Sequence, residues 1–283
     1  MTDTAAPSLP GPIAFIGGGN MARSLIGGLV ARGMAADAIR VAEPVAELRD
    51  ALDRDFGVRT FARAEEAADG ATCWMLAVKP QVMRTVCEAL APIAGTQTPL
   101  VVSVAAGITA AQLQRWLGDD AGRLAVVRAM PNTPALLGVG VTGLFASGAV
   151  DSGQRDAASR LLDAAGPTVW IDDETRMDAV TAVSGSGPAY VFLLAEAMQQ
   201  AGVAQGLPPE TARALVQQTL LGAATMLVQL DDPADVLRTR VTSPGGTTQA
   251  AIETFEAGGF RDLVDRAIAA ATQRGRALSA AND

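Results

Sequence analysis

Ile13-Ala14-Phe15-Ile16-Gly17-Gly18-Gly19-Asn20-Met21-Ala22 is the stretch from which the fold is read. Four apolar residues suit a short buried strand. Beyond the glycines, residues 23–32 (Arg-Ser-Leu-Ile-Gly-Gly-Leu-Val-Ala-Arg) place their apolar positions at helical spacing. Gly17, Gly19 and Ala22 fit the spacing G-x-G-x-x-G/A. The first glycine makes the turn, the second admits a pyrophosphate, and the small third residue lets helix and strand pack closely. The pattern predicts a strand–turn–helix whose helix start holds a dinucleotide phosphate.

The segments that follow alternate in the same way. Ile39-Arg40-Val41-Ala42 reads as a second strand with Glu43 at its carboxyl end. A carboxylate there can accept from an adenosine ribose 2′-OH and would repel a 2′-phosphate. Pro44 then opens a helix running to about Asp55. Residues 72–78 read as the fourth strand and run into Lys79-Pro80-Gln81, where Pro80 suits a first helical turn. Lys79 is either an ordinary surface lysine or a contact for a nicotinamide ribose or phosphate. Residues 100–104 form a fifth strand, followed by Ala105-Ala106-Gly107, small enough to leave room for a flat ring. A sixth strand spans 123–128, and the loop after it is held non-helical by Pro131 and Pro134, with Asn132 and Thr133 as side-chain donors facing a cleft. Strands at 139–145 and 167–171, with a helix at about 152–165 between them, complete an α/β doubly wound signature.

After Ile171 the strands stop. Asp172-Asp173-Glu174 opens a short helix to Thr181, and Ser184-Gly185-Ser186-Gly187-Pro188 either leads into a long helix to about Ala204 or marks a break between helices. Further helices are expected from Pro208 to about Gln229, from near Pro233, from Gln249, and from about Phe260 to Leu278. The expected architecture is an N-terminal Rossmann-like doubly wound sheet over 1–172, followed by an all-helical C-terminal dimerisation domain over 173–283. Ala212, Ala214, Gly222, Ala223 and Ala224 put small residues on long apolar faces, which predicts a homodimer through interleaved helices.

Within that helical half, Ser243-Pro244-Gly245-Gly246-Thr247-Thr248 precedes an amphipathic run. It reads as a plain N-cap, or as a helix start built to hold an anion. The first N–H groups of a helix lack internal partners and lie at the positive end of its dipole. Glycines let a ligand approach the backbone, and threonine hydroxyls both donate and accept.

Composition narrows the chemistry. The chain has 283 residues, is 49% hydrophobic and carries a net charge of −8, so neither a nucleic acid nor an anionic membrane is an expected partner. An anionic ligand must therefore be gripped by local donors. No apolar run approaches the roughly 20 residues of a membrane span. Residues 1–11 lack a basic or apolar signal region and read as a short lead. Cys73 and Cys87 look like small buried hydrophobes of a reducing cytoplasm. Histidine is absent. That removes imidazole acid–base chemistry, Ser-His and Cys-His nucleophiles and His-ligated metals, and no metal site is expected.

Taken together, Phe15–Met21, Ala77–Pro80, Val102–Gly107, Arg128–Pro134, Asp178–Tyr190 and Ser243–Thr248 make the chain resemble pyrroline-5-carboxylate reductase, over about residues 13 to 278. The resemblance implies NAD(P)H binding through Ile16, Gly17, Gly18, Gly19, Asn20 and Met21, through Ala77, Val78, Lys79 and Pro80, and through Val104, Ala105 and Ala106. It implies a substrate carboxylate on the amides of Gly246, Thr247 and Thr248 with Ser243 beside it, and a ring nitrogen on the Thr248 hydroxyl, making Thr248 the catalytic residue. Glu174 and Val241 match positions near the ring. It also implies dimers, often assembled into a decamer. Glu43 and Ala64 depart from the common pattern, which weakens the case for a 2′-phosphate pocket. NADPH and NADH both stand as cofactors, with NADH accepted because of Glu43.

Three rival readings remain in view. A hydroxy-acid dehydrogenase of similar layout usually takes an acid/base lysine from its helical half, and residues 173–283 contain none. The others are a reductase of a related cyclic imine and a non-catalytic dinucleotide-sensing module.

Overall fold

The computed structural model describes residues 11–281. The lead expected at residues 1–11 lies outside them apart from Gly11. Eight strands form one sheet: β1 (Ile13–Ile16), β2 (Ile39–Ala42), β3 (Arg59–Phe61), β4 (Cys73–Leu76), β5 (Leu100–Ser103), β6 (Val126–Met130), β7 (Thr142–Ala146) and β8 (Thr168–Trp170). Helices α1 (Asn20–Ala31), α2 (Ala46–Phe56), α3 (Ala64–Ala68), α4 (Pro80–Gln97), α5 (Ala110–Trp116) and α6 (Ser152–Leu162) alternate with them. The strand order is β3-β2-β1-β4-β5-β6-β7-β8, and among the described residues only β6 and β7 pair antiparallel. β1 sits between β2 and β4, so the chain reverses its direction of winding there. Ligands of such sheets bind at that reversal, outside the carboxyl ends of the strands.

Both faces of the sheet are covered, which is why β1, β4 and β5 are buried at every residue instead of alternating. One apolar core gathers Phe15, Leu25, Val41, Met75 and Leu161, and the other gathers Ile16, Trp74, Leu76, Met83 and Leu113. Ala22 is buried at 1% exposure, as the fingerprint requires of its third small residue.

The sixth strand begins later than its apolar pattern predicts, at Val126 instead of 123. The Leu124 N–H donates to the Asp119 carboxylate, and its carbonyl accepts from Gln114 Nε2 at 2.7 Å. Both backbone groups of Leu124 are thus held by the α5 end of the chain, and the first bond to β5 comes from the next residue, whose Ala125 O accepts from Val101 N–H at 2.9 Å.

Cys73 and Cys87 are both free and buried. Burial pushes each thiol up to about 12 by desolvating the thiolate, and Glu88 adds to the effect at Cys87. At pH 8 an aromatic disulfide reagent should label neither in the native chain and both in denaturant; rapid native labelling would contradict this burial. An unfolded thiol titrates near ~8.5. The folded chain keeps a proton that the unfolded one gives up, so this stabilisation is complete below that pH and is lost as pH rises towards 12.

After β8 come a 3₁₀ turn at Glu174–Arg176, α7 (Met177–Val180) and a π turn at Thr181–Gly185. α8 (Gly187–Ala204), α9 (Pro209–Gln229), α10 (Ala234–Arg240), α11 (Thr247–Ala257) and α12 (Phe260–Ala281) follow. The serine–glycine segment forms the end of this π turn and, after a bend at Ser186, leads into α8. Its Ser186 N–H reaches back five residues to Thr181 O at 2.8 Å, and Ser184 Oγ donates to Val180 O at 2.9 Å. Packing divides the chain into two units. One runs up to Ser186 and takes back α12 from Ala271, and the other is Gly187–Ala270. Composition changes at Ile171, whereas packing changes at Ser186, because the 3₁₀ turn, α7 and the π turn rest on the sheet unit. Gly143 and Val180 meet there, and so do Gly185 and Met130.

Candidate active site

The carboxyl ends of β1, β2, β4 and β5 lie on one edge of the sheet, because the four strands are parallel and in register. This edge collects every residue expected to hold a dinucleotide. Gly17 has φ +103, and a Cβ there would stand 2.8 Å from Ala77 O, so only glycine fits. The loop after β1 can then lie against the loop after β4, with Ala77 N–H donating to Ile16 O at 2.8 Å. Gly18 is also confined, with Leu52 and Glu43 filling the space a side chain would need. A Cβ on Gly19, by contrast, would face open space.

Gly19 is the N-cap of α1 and brings no side-chain cap. The first helical bond is Arg23 N–H to Gly19 O. Among the described residues, no protein acceptor meets the N–H groups of Asn20, Met21 or Ala22. A bare helix start beside an uncrowded glycine is the arrangement that receives a phosphate. Lys79, exposed, caps α4, with Pro80 as its first residue. Val104, Ala105 and Ala106 extend from β5, where Val104 N–H is held by Leu76 O at 3.1 Å.

Glu43 stands where the second strand was expected to place it, but it also has a local task that spacing did not reveal. The residue is buried, at 7% exposure. One oxygen accepts from Gly18 N–H at 3.0 Å and the other from Val45 N–H at 3.1 Å. The acid therefore pins the glycine loop to the end of β2. A carboxylate has about four acceptor sites, so each oxygen keeps capacity for another donor.

Asn132 departs from its expected role as a cleft donor. Its Oδ1 accepts from Val141 N–H at 3.0 Å, and its Nδ2 donates to Ser184 O at 3.1 Å. The amide thus ties the loop after β6 to the start of β7 through its oxygen and to the π turn through its nitrogen.

In the helical unit, Val241 follows α10, and Ser243, Pro244 and Gly245 form an exposed turn before Gly246, the N-cap of α11. Val241, Ser243, Gly246, Thr247 and Thr248 thus share one loop and helix start. The donor set differs from the expected one in a single respect. Gly246 N–H closes the turn onto Ser243 O at 3.0 Å, so it is spent internally. The first helical bond is Ala250 N–H to Gly246 O, and among the described residues no protein acceptor meets the N–H of Thr247 or Thr248. The hydroxyls follow the same logic. Thr225, Thr239, Thr242 and Thr254 each donate to the carbonyl four residues back. Thr247 and Thr248 open the helix, so the residues four before them, Ser243 and Pro244, are not helical.

Glu174, expected beside the substrate ring, belongs to the sheet unit, and its carboxylate is engaged there. Oε1 accepts from Arg128 at 2.8 Å and from Ala110 N–H, at the start of α5, at 2.7 Å. Arg128 sits within β6 and is 9% exposed along its side chain. Sequence spacing carried no signal for this ion pair, because 46 positions separate its partners.

A doubly wound sheet with a bare glycine-loop helix start, continued by a helical segment, defines a dinucleotide-binding oxidoreductase with a helical second half. The comparisons with known proteins make this specific. A family model described as pyrroline-5-carboxylate reductase dimerisation matches residues 174–278, and one described as NADP oxidoreductase, coenzyme F420-dependent, matches residues 12–107. Pyrroline-5-carboxylate reductase of Pseudomonas aeruginosa is 52% identical, over 94% of this chain and 96% of its own length. The solved structure of a pyrroline-5-carboxylate reductase from Coxiella burnetii superposes with a TM-score of 0.91 at 42% identity, covering 95% of this chain and 98% of that one. That of the Plasmodium falciparum pyrroline carboxylate reductase with NADP bound gives 0.82 at 28% identity, over 96% and 99%. The chain belongs to the pyrroline-5-carboxylate reductase family.

Proposed function

We propose that this chain reduces L-1-pyrroline-5-carboxylate to L-proline, the last step of proline biosynthesis, using the α11 start to hold the substrate and the edge of the sheet to hold a nicotinamide dinucleotide. The observation that carries the substrate assignment is the pair of unpartnered N–H groups on Thr247 and Thr248, beside two hydroxyls that no helical carbonyl occupies. Together they offer a small carboxylate two amide donors at a positive helix end, within a chain of overall charge −8 that would otherwise repel it.

The fit to a dinucleotide rests on Gly17, Gly19 and the bare amides of Asn20, Met21 and Ala22. When bound, the dinucleotide supplies the hydride for the imine carbon. The chain's own work is placement and proton supply. Thr247 and Thr248 amides orient the carboxylate, and the Thr248 hydroxyl donates a hydrogen bond to the ring nitrogen as it gains electron density. An iminium already accepts hydride readily, which suits a chain without histidine. Oxidation of NADH or NADPH on addition of pyrroline-5-carboxylate tests the reading. Dinucleotide binding with no turnover would leave a sensing module, and turnover of a six-membered imine alone would leave the related reductase.

Glu43 sets the coenzyme preference. A 2′-phosphate would approach a buried carboxylate, whereas a 2′-OH could donate to its remaining acceptor sites. NADH should be used at least comparably with NADPH. Side-by-side kinetics favouring NADPH by more than about tenfold, or 1.4 kcal/mol, would refute this.

The helical unit supports a homodimer. Of the 84 residues in Gly187–Ala270, only Ala212, Val216 and Leu237 are buried apolar side chains in the single chain. Phe192, Leu193 and Val228 are largely exposed, and an apolar groove is lined by Leu194, Met198, Phe255, Phe260, Val264 and Ile268. Apolar surface on this scale needs a second copy to cover it. Sedimentation at micromolar concentration should give a dimer or a multiple of it, such as the decamer of the resemblance; a monomer would contradict the assignment. None of the helices among the described residues is long and apolar enough to cross a membrane, and the buried thiols suit a cytoplasmic location.

A further inference from the structure

The start of α11 has a side-chain strap, and we infer that Gln249 is a positioning residue for the substrate anion, with Glu253 setting its orientation. Gln249 Oε1 accepts from Gly245 N–H at 2.6 Å, and its Nε2 donates to Glu253 Oε1 at 2.7 Å. A carboxylate can only accept, so Glu253 claims the NH₂ end of the amide and forces the oxygen end towards Gly245. Gly245 lies at φ +70, a left-handed conformation inside the turn that Gly246 N–H closes onto Ser243 O, and no side chain packs over it, because a Cβ there would meet no neighbour. The strap therefore adds a second hold to an exposed turn that is otherwise kept closed by a single backbone bond.

The consequence lies in which amides remain available. Gly245 N–H is taken by Gln249 and Gly246 N–H by Ser243 O. The next N–H groups in the chain, those of Thr247 and Thr248, are left as unpaired donors aimed out of the helix start. If the turn relaxed, its outer amides would compete for the same anion in a different register. Gln249 is neutral, so it can brace the turn without placing a negative charge beside the carboxylate.

The inference rests on the proposed reaction, and two variants with two readouts separate the failures. Gln249→Ala removes the strap; Gln249→Met keeps the length of the side chain but removes the acceptor. Both should raise KM for pyrroline-5-carboxylate by about 3–10-fold, the range that one neutral hydrogen bond supports. kcat and KM for NADH should stay within about twofold. In both, Gly245 amide hydrogen exchange, read by mass spectrometry of the intact oligomer's peptides, should speed up by a similar or larger factor. Glu253→Ala should give a weaker version of the same pattern. Gln249→Met with unchanged KM and unchanged Gly245 exchange would overturn the inference. If the unaltered chain failed to reduce the imine, the proposed reaction would fall, and Gly245 exchange alone would still decide whether the strap exists.

Discussion

Glu174→Ala is expected to lower the unfolding free energy by about 3 kcal/mol, the low end of the cost of leaving a buried charge without its partner. Arg128, at 9% side-chain exposure in the middle of β6, would keep its charge and lose the carboxylate oxygen 2.8 Å away. The Ala110 N–H at the start of α5 would lose its acceptor as well. Glu174→Gln retains a carbonyl oxygen for both donors and should lose about 1–2 kcal/mol. Urea unfolding of the three proteins checks the order. A Glu174→Ala chain as stable as the parent would show that the pair contributes nothing. A raised KM for the imine at unchanged stability would instead give Glu174 the ring-contacting role the resemblance implies.

Thr248→Ala is expected to cost roughly 10–1000-fold in kcat/KM, the span of positioned proton donors extended downwards for an already electrophilic iminium. The fold should be indifferent to the change. No intramolecular bond involving the Thr248 hydroxyl is present among the described residues, and the residue four before it is Pro244, outside the helix. Thr254→Ala is the matched control, since its hydroxyl is occupied by Ala250 O at 2.9 Å. Thr248→Ser should recover most of the activity because it restores the O–H. Unchanged kcat/KM in Thr248→Ala would remove this residue from the mechanism.

Much of this molecule is legible without coordinates because its information is local. The glycine spacing from Gly17 to Ala22 demands a turn, an approach and a close packing contact, and each demand falls on one residue. Pro80 at the first turn of α4 works the same way. Strand edges were less legible. Leu124 and Ala125 continue the apolar run of the strand, yet Asp119 and Gln114 capture the backbone of Leu124 first. Asn132 reads as a loop donor, but a partner 52 positions away determines its use.

The amino-acid sequence by itself determined that a helix start follows a buried strand near residue 17, that another helix follows the Ser243–Thr248 stretch, and that no histidine chemistry is available. These are consequences of backbone freedom, helix-end polarity and composition, all of which act over a few residues. Only the tertiary structure decided that Glu43 braces the glycine loop, that Glu174 neutralises Arg128, and that Gly246 spends its N–H inside the turn. Each of these is a choice among competing hydrogen-bond partners, and which partner wins depends on distances that exist only once the chain has folded.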